Sequence, residues 1–204
     1  MKSRAQDKSV IKYRRIAIFG GTFNPIHVGH LVAALTALEL MRLDQVIFVV
    51  SNHPPHKKDK YFASSRDRLN LVQLAVQGHQ AFRVSDCEIK RGGKSYSIDT
   101  VEFFRKKFPP PTKLFFIIGG DELNALPTWK DYPRLLERVT FVAVNRPGYQ
   151  KNIHSERIPH KDVEMPAIDL SSSLIRDYRR KGKSIRWLVP ERVALYIEKK
   201  GLYL

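Results

Sequence analysis

The chain has 204 residues, enough for one domain with a proper core and a small appended part. Its 36 basic residues against 20 acidic ones give a net charge of +16, a field that draws polyanions such as nucleotides or RNA and that general surface basicity also produces. No apolar run reaches transmembrane length, no apolar signal region opens the chain, and a single cysteine, Cys87, excludes an internal disulfide framework, so a soluble cytoplasmic protein is expected.

Residues 1–13 are polar and basic with little periodicity, which predicts a mobile extension ahead of one domain over 14–204. Arg15-Ile16-Ala17-Ile18-Phe19 is a short apolar run bounded by glycine and reads as a buried strand. Leu31 to Leu40 is rich in strong helix formers. Between them lies Gly20-Gly21-Thr22-Phe23-Asn24-Pro25-Ile26-His27-Val28-Gly29-His30, a strand-to-helix turn. Such a turn favours an anion. Glycine lets backbone approach a ligand closely, and the helix that follows aims free N–H groups and the positive end of its dipole at the turn. His27 and His30, three residues apart, are expected on one helical face, where each can donate hydrogen bonds to phosphate oxygens. The dinucleotide pattern G-x-G-x-x-G and the P-loop pattern are both missing here. A zinc site lacks a nearby Cys or acidic ligand, so no metal-ligating residues are assigned. The coincidence of glycines, proline and two histidines at a strand–helix junction favours phosphate chemistry over incidental histidines.

Gln45 to Val50 is a second buried strand, which makes the unit β-α-β with parallel strands and a right-handed crossover. Ligands of such sheets bind beyond the carboxyl ends of the strands. The next loop, Ser51 to Lys60, is stiffened by Pro54-Pro55 and strongly positive; Lys57 there can neutralise a phosphate on an incoming substrate, unless the loop is merely solvated. Ser64-Ser65 cap a helix from Arg66 to about Gln77, and Phe82 to Ile89 reads as a strand. Ser95 to Thr100 leads into a helix through Val101, Phe104 and Phe108, closed by three prolines; Ser97 and Thr100 read as capping residues. Leu114 to Ile118 is the clearest buried strand. Gly119-Gly120-Asp121 follows it, and Asp121 reads either as a ribose-hydroxyl acceptor or as a helix N-cap. Trp129 in Leu-Pro-Thr-Trp reads either as a stacking face or as a core residue. Val139 to Val144 is a strand, and 150–164 is polar without clear periodicity. Asp169-Leu170-Ser171-Ser172-Ser173-Leu174-Ile175-Arg176 opens a helix that Gly182 stops. Its hydroxyls and free N–H groups make a second anion site, with the Arg176 fork one turn inside. The last helix runs from about Pro190 to Lys200.

Gly-x-Phe-x-Pro-x-His-x-Gly-His resembles the signature of the adenylyl- and cytidylyltransferase superfamily, and Ser-Ser-x-x-Ile-Arg resembles its second signature. Pro-Pro-His-Lys, Ser-Tyr-Ser-Ile-Asp-Thr, Leu-Pro-Thr-Trp, Arg-Pro-Gly-Tyr and the Leu-Val-Pro tail narrow the likeness, over Arg14 to Tyr203, to the bacterial-type nicotinate-nucleotide adenylyltransferases. Asn24 stands where many members carry Asp, and Ser97 where Thr is commoner. The resemblance implies an α/β fold, a Rossmann-like doubly wound parallel sheet with helices on both faces and a small C-terminal helical part. It implies AMP transfer from ATP to nicotinate mononucleotide, with Mg²⁺ on the triphosphate. By this resemblance His27, His30 and Arg176 are catalytic. Gly20, Gly21, Thr22, Phe23, Gly119, Asp121, Ser172, Ser173 and Arg176 bind ATP. Lys57, Ser97 and Trp129 bind the nicotinate nucleotide. Two other readings are a sister enzyme such as a pantetheine-phosphate adenylyltransferase, against which the Ser97 and Trp129 segments argue, and a basic RNA-binding protein on the same scaffold. No membrane and no specific nucleic-acid partner is expected, and no oligomeric state is legible.

Overall fold

Arg15–Gly21 forms β1, the first element of the computed structural model, which describes residues 15–53, 62–145 and 157–204. Val28–Leu40 (α1), Gln45–Val50 (β2), Ser65–Val76 (α2), Phe82–Ser85 (β3), Cys87–Arg91 (α3) and Ser97–Lys107 (α4) follow. Then come Lys113–Gly119 (β4), Gly120–Leu123 (α5), a 3₁₀ turn Leu126–Thr128, Tyr132–Arg138 (α6), Thr140–Asn145 (β5), His160–Glu164 (β6), Ser172–Arg180 (α7) and Glu191–Lys199 (α8).

The strands pair in the order β3-β2-β1-β4-β5-β6, and every pairing is parallel. Strands β1, β2, β4 and β5 are near-continuous apolar runs because helices cover both of their faces. Ile16, Ile18, Val49, Phe116 and Phe141 pack on one face with Cys87, Phe104, Leu123 and Leu135 of α3 to α6. Ala17, Phe19, Phe48, Ile117 and Val142 face the other way, against α1, α2, α7 and α8. Alternate residues thus serve two cores, and the doubly wound fold expected from the sequence is present, with α7 and α8 as its C-terminal helical part.

Two local expectations are corrected. The strand read over Phe82 to Ile89 ends at Ser85, where the Ser85 hydroxyl accepts the Cys87 N–H at 3.3 Å and the chain turns into α3. Buried Glu88 then accepts the Thr100 hydroxyl, tying α3 to α4. The polar stretch before Met165 contains β6, an edge strand whose side chains are mostly exposed apart from Val163, so its polarity reflects the edge position.

The chain leaves β1 for β2 and β3 on one side and returns to β4 on the other. That reversal opens a crevice at the carboxyl ends of β1 and β4, the place where open parallel sheets bind ligands.

Candidate active site

The glycine turn sits in this crevice. A Cβ on Gly21 would lie 2.6 Å from Cζ of Phe23, so only glycine lets that ring fold back over the turn. Phe23 itself has φ +48, the left-handed region that a bulky residue rarely adopts. Its ring is fully enclosed, edge-on to Phe19 at 5.6 Å and to His30 at 5.2 Å. The surroundings therefore hold a strained residue in the glycine turn, a placement typical of functional sites.

His27 is the N-cap of α1, with φ −145 and ψ 171, and is not part of the helix. The shared helical face expected for the two histidines is thus replaced by a capping arrangement. The His27 N–H donates to Nδ1 of His30 at 3.2 Å, and the rings lie 3.7 Å apart. With Nδ1 accepting, the neutral form of the His30 ring carries its proton on Nε2. A Cβ on Gly29 would approach Nδ1 of His27 to 3.1 Å, so the glycine makes room for that imidazole.

Helix α7 meets this turn from 147 to 152 residues away in the chain. Ser171 is the N-cap, its hydroxyl accepting the Leu174 N–H at 3.2 Å. Ser172 donates to the Pro25 carbonyl at 2.9 Å. Arg176 donates through Nη1 to the Asn24 carbonyl at 2.9 Å and through Nη2 to the Ser173 hydroxyl at 3.2 Å. The two anion-binding motifs read separately in the sequence are one constellation. His27, His30, Ser172, Ser173 and Arg176 gather at two adjoining helix N-termini.

Lys57 and the Arg146 to Tyr149 segment lie outside the described residues. The loop after β2 is laced to the approach of α4: the Asn52 N–H donates to the Ser95 hydroxyl at 2.9 Å and the Ser95 N–H to the His53 carbonyl at 3.1 Å. Ser97 is the first residue of α4, and the N-cap is Tyr96, whose side chain makes no capping bond. Ser97 and Thr100 therefore do not cap the helix as read; Thr100 serves Glu88 instead. Trp129 is half-buried and edge-on to Phe116 at 5.9 Å and Phe141 at 6.5 Å. Lys130 lies over the Tyr96 ring at 4.7 Å and 4.0 Å from the Asp99 carboxylate, which draws the Trp129 segment toward the start of α4. Gly119 is the N-cap of α5, so Asp121, exposed in the first turn, is not the capping aspartate.

Sequence reasoning missed Arg68 and Tyr203 as parts of this site, and named Asn24 only as a departure from the commoner Asp. Arg68 is 1% exposed and donates to four backbone carbonyls: Thr22 at 2.8 Å, Ser51 at 2.7 Å, Asn52 at 3.0 Å and Ala63 at 3.2 Å. The available signal was an arginine at helical spacing from Leu71 and Val72, on the buried face of α2. Burial pulls its guanidinium below the ordinary value, opposed by Tyr203 and Glu88. Asn24 is 3% exposed; its Oδ1 accepts the Ala63 N–H at 3.1 Å and the Tyr203 hydroxyl at 3.0 Å. Burial raises the Tyr203 hydroxyl well above the usual phenol range, against the pull of Arg68 and Arg176. Among the described residues no cluster of three His, Cys, Asp or Glu side chains is placed to hold a metal.

Residues 18–178 match the cytidylyltransferase-like family. A protein of Geobacillus thermodenitrificans (strain NG80-2) named "probable nicotinate-nucleotide adenylyltransferase" is 44% identical over 189 residues, covering 93% of this chain and 86% of the relative. One of the same name from Lactiplantibacillus plantarum is 43% identical over 195 residues, covering 96% and 90%. The Plasmodium falciparum nicotinic acid mononucleotide adenylyltransferase complexed with NaAD superposes with a TM-score of 0.75 at 18% identity, over 94% of this chain and 98% of that one. The same enzyme complexed with APC gives 0.73 at 17%, over 94% and 98%. At such identity the structural likeness speaks for the fold, and the closer relatives speak for the branch. A family match over most of the chain, and relatives at 43–44% identity along nearly its whole length, place the protein in the cytidylyltransferase-like family, among the nicotinate-nucleotide adenylyltransferases.

Proposed function

We propose that the chain transfers the adenylyl group of ATP to nicotinate mononucleotide, giving nicotinate adenine dinucleotide and pyrophosphate, a step of NAD synthesis. The observation that supports this reading is the bond from Arg176 to the Asn24 carbonyl, which brings the two candidate anion-binding motifs side by side. An oxygen of the acceptor's phosphate attacks the α-phosphorus of ATP. A P–O bond forms there as the bond to the bridging oxygen breaks, and pyrophosphate leaves with the electron pair. The acceptor phosphate is already a nucleophile, so no covalent enzyme intermediate is needed. Catalysis is then positioning plus stabilisation of developing charge.

In this reading the Nε2–H of His30, His27, Arg176 and the start of α1 hold the α-phosphate and the leaving group. Gly20, Gly21, Thr22, Phe23, Ser172 and Ser173 shape the rest of the triphosphate site, and Gly119 and Asp121 receive the ribose. Lys57 steadies the acceptor phosphate. Ser97 and the N–H groups of α4 face the nicotinate carboxylate, with Trp129 as the stacking surface. Imidazole, guanidinium and hydroxyl groups are phosphate ligands, so Mg²⁺ fits here as a cation carried on the triphosphate with its own waters, where it neutralises charge. Residues 14–204 are taken as one domain with 1–13 as an extension, acting in the cytoplasm; among the described residues no helix is long and apolar enough to cross a membrane.

The test is pyrophosphate release from ATP with a panel of acceptors: nicotinate mononucleotide, its amide and phosphopantetheine. The acid is expected to be preferred over the amide by about tenfold or more in kcat/KM, because the amide sets its own donors against those of α4. No release with the acid, or a preference for phosphopantetheine, refutes the proposal. Equal use of acid and amide refutes the pocket assignment alone.

A further inference from the structure

We infer that Arg68 is a positioning residue that sets the ATP-binding turn against the acceptor loop, holding both on one guanidinium. The inference rests on the proposed division of the site, with ATP at the turn after β1 and the acceptor phosphate at the loop after β2. Three of the four carbonyls that Arg68 meets belong to these two loops. Nη1 alone bridges them, donating to Thr22 at 2.8 Å and to Ser51 at 2.7 Å. Nη2 reaches Asn52 at 3.0 Å, and Nε anchors the fork to Ala63, just ahead of α2, at 3.2 Å. All of its described hydrogen bonds end on main-chain oxygens, so the contacts act on where the loops run.

Stability alone is a poor account of this residue. A buried charge is costly, and Leu71 and Val72 show that the same face of α2 accepts apolar side chains. The carbonyls at the ends of β1 and β2 do need donors. What arginine adds is a rigid planar fork, whose five N–H groups fix several acceptors relative to each other. Lysine keeps the charge but offers donors from a single point on a flexible stem. The geometry is passed on: Asn52, held by Arg68, donates its own N–H to Ser95 ahead of α4. Asn24, two residues after Thr22, accepts Arg176 through its carbonyl. Arg68 thus lies behind both substrates and touches neither.

If each substrate is held by its own loop and Arg68 governs only their mutual alignment, its loss should spare binding and impair turnover. In the full chain, R68K is compared with the unaltered protein in three measurements. These are pyrophosphate release at saturating substrates, the dissociation constants of a non-hydrolysable ATP analogue and of nicotinate mononucleotide separately, and thermal unfolding. A fall in kcat of roughly 100-fold is expected, the scale of an ångström misplacement, with each dissociation constant within about threefold of the original. A kcat for R68K within about threefold of the original overturns the inference, as does a weakening of both dissociation constants that matches the fall in kcat, since that reports a merely structural role. Should R68K not fold, Phe62→Leu removes the ring beneath the guanidinium, 5.6 Å away, and keeps Arg68 in place. A several-fold loss of kcat at unchanged dissociation constants then supports the inference, and an unchanged kcat overturns it. Failure of the unaltered protein to release pyrophosphate with nicotinate mononucleotide would instead refute the functional proposal, and is read before any variant.

Discussion

His30→Ala separates stability from catalysis. The substitution removes the Nδ1 acceptor of the His27 N–H, a capping interaction whose loss costs about 0.5–2 kcal/mol. It also removes the edge contact with Phe23 at 5.2 Å, a pair contributing about 0.5–1.5 kcal/mol. Together these lower stability by roughly 1–3.5 kcal/mol, and at about 2–4 °C of Tm per kcal/mol for a chain of this size the shift is visible but not fatal. The catalytic loss is separate. In the proposed reaction His30 aims a ring N–H at the phosphates, and removing one donor aimed at developing charge costs about 2.7–4 kcal/mol. The expected kcat is therefore about 10²–10³ lower, with a much smaller change in KM for ATP. Steady-state pyrophosphate release on protein shown to be folded by circular dichroism measures both. A kcat within about tenfold of the original, a loss of only ~1.4 kcal/mol, refutes the role. So does a rise in KM with kcat intact.

Arg176→Lys keeps the charge but loses the paired bonds to Asn24 and Ser173, so kcat/KM for ATP should fall by about tenfold or more; unchanged kcat and KM would reduce Arg176 to a surface residue. Gly21→Ala places a Cβ 2.6 Å from the confined Phe23 ring and should cost about 1–3 kcal/mol or more in a thermal melt, and an unchanged Tm would show the ring free to move. Tyr203 keeps its proton in the folded state well above the pH at which the unfolded chain loses it, because burial penalises the phenolate. Its contribution is therefore fully present below about pH 10 and is lost as pH rises beyond, by up to ~1.4 kcal/mol per pH unit. Urea unfolding from pH 9 to 11 should show a shallower alkaline decline in Tyr203→Phe than in the original protein; parallel declines refute it.

The readable parts of the site were those whose chemistry is local. The glycine turn, the two histidines and the serine–arginine cluster are contiguous residue types with a helix terminus between them, and each advertises an anion site without reference to the rest of the chain. Strands β1, β2, β4 and β5 were equally plain, since a strand covered on both faces must be apolar throughout. β6 was not, because an edge strand is held by main-chain bonds to one neighbour and only Val163 needed to be buried. Cys87 to Ile89 read as strand, though it belongs to α3, because the tie from Glu88 to Thr100 is one that local alternation cannot reveal.

The amino-acid sequence by itself therefore determined the kind of molecule: a parallel α/β sheet, a glycine and histidine turn after its first strand, a serine–arginine cluster near its end, and a likeness to the nicotinate-nucleotide adenylyltransferases. Only the tertiary structure decided that the two motifs are one site, with Arg176 bonded to the carbonyl of Asn24 across 152 residues. It also decided that His27 caps the helix rather than sharing a face with His30, and that an arginine hidden in α2 ties the carboxyl ends of β1 and β2 together. The physical reason is the same in each case. Propensity, periodicity and capping are short-range and written in neighbouring residues, whereas a hydrogen bond to a distant carbonyl depends on where the packed sheet brings two segments, and main-chain oxygens carry no residue identity to announce it.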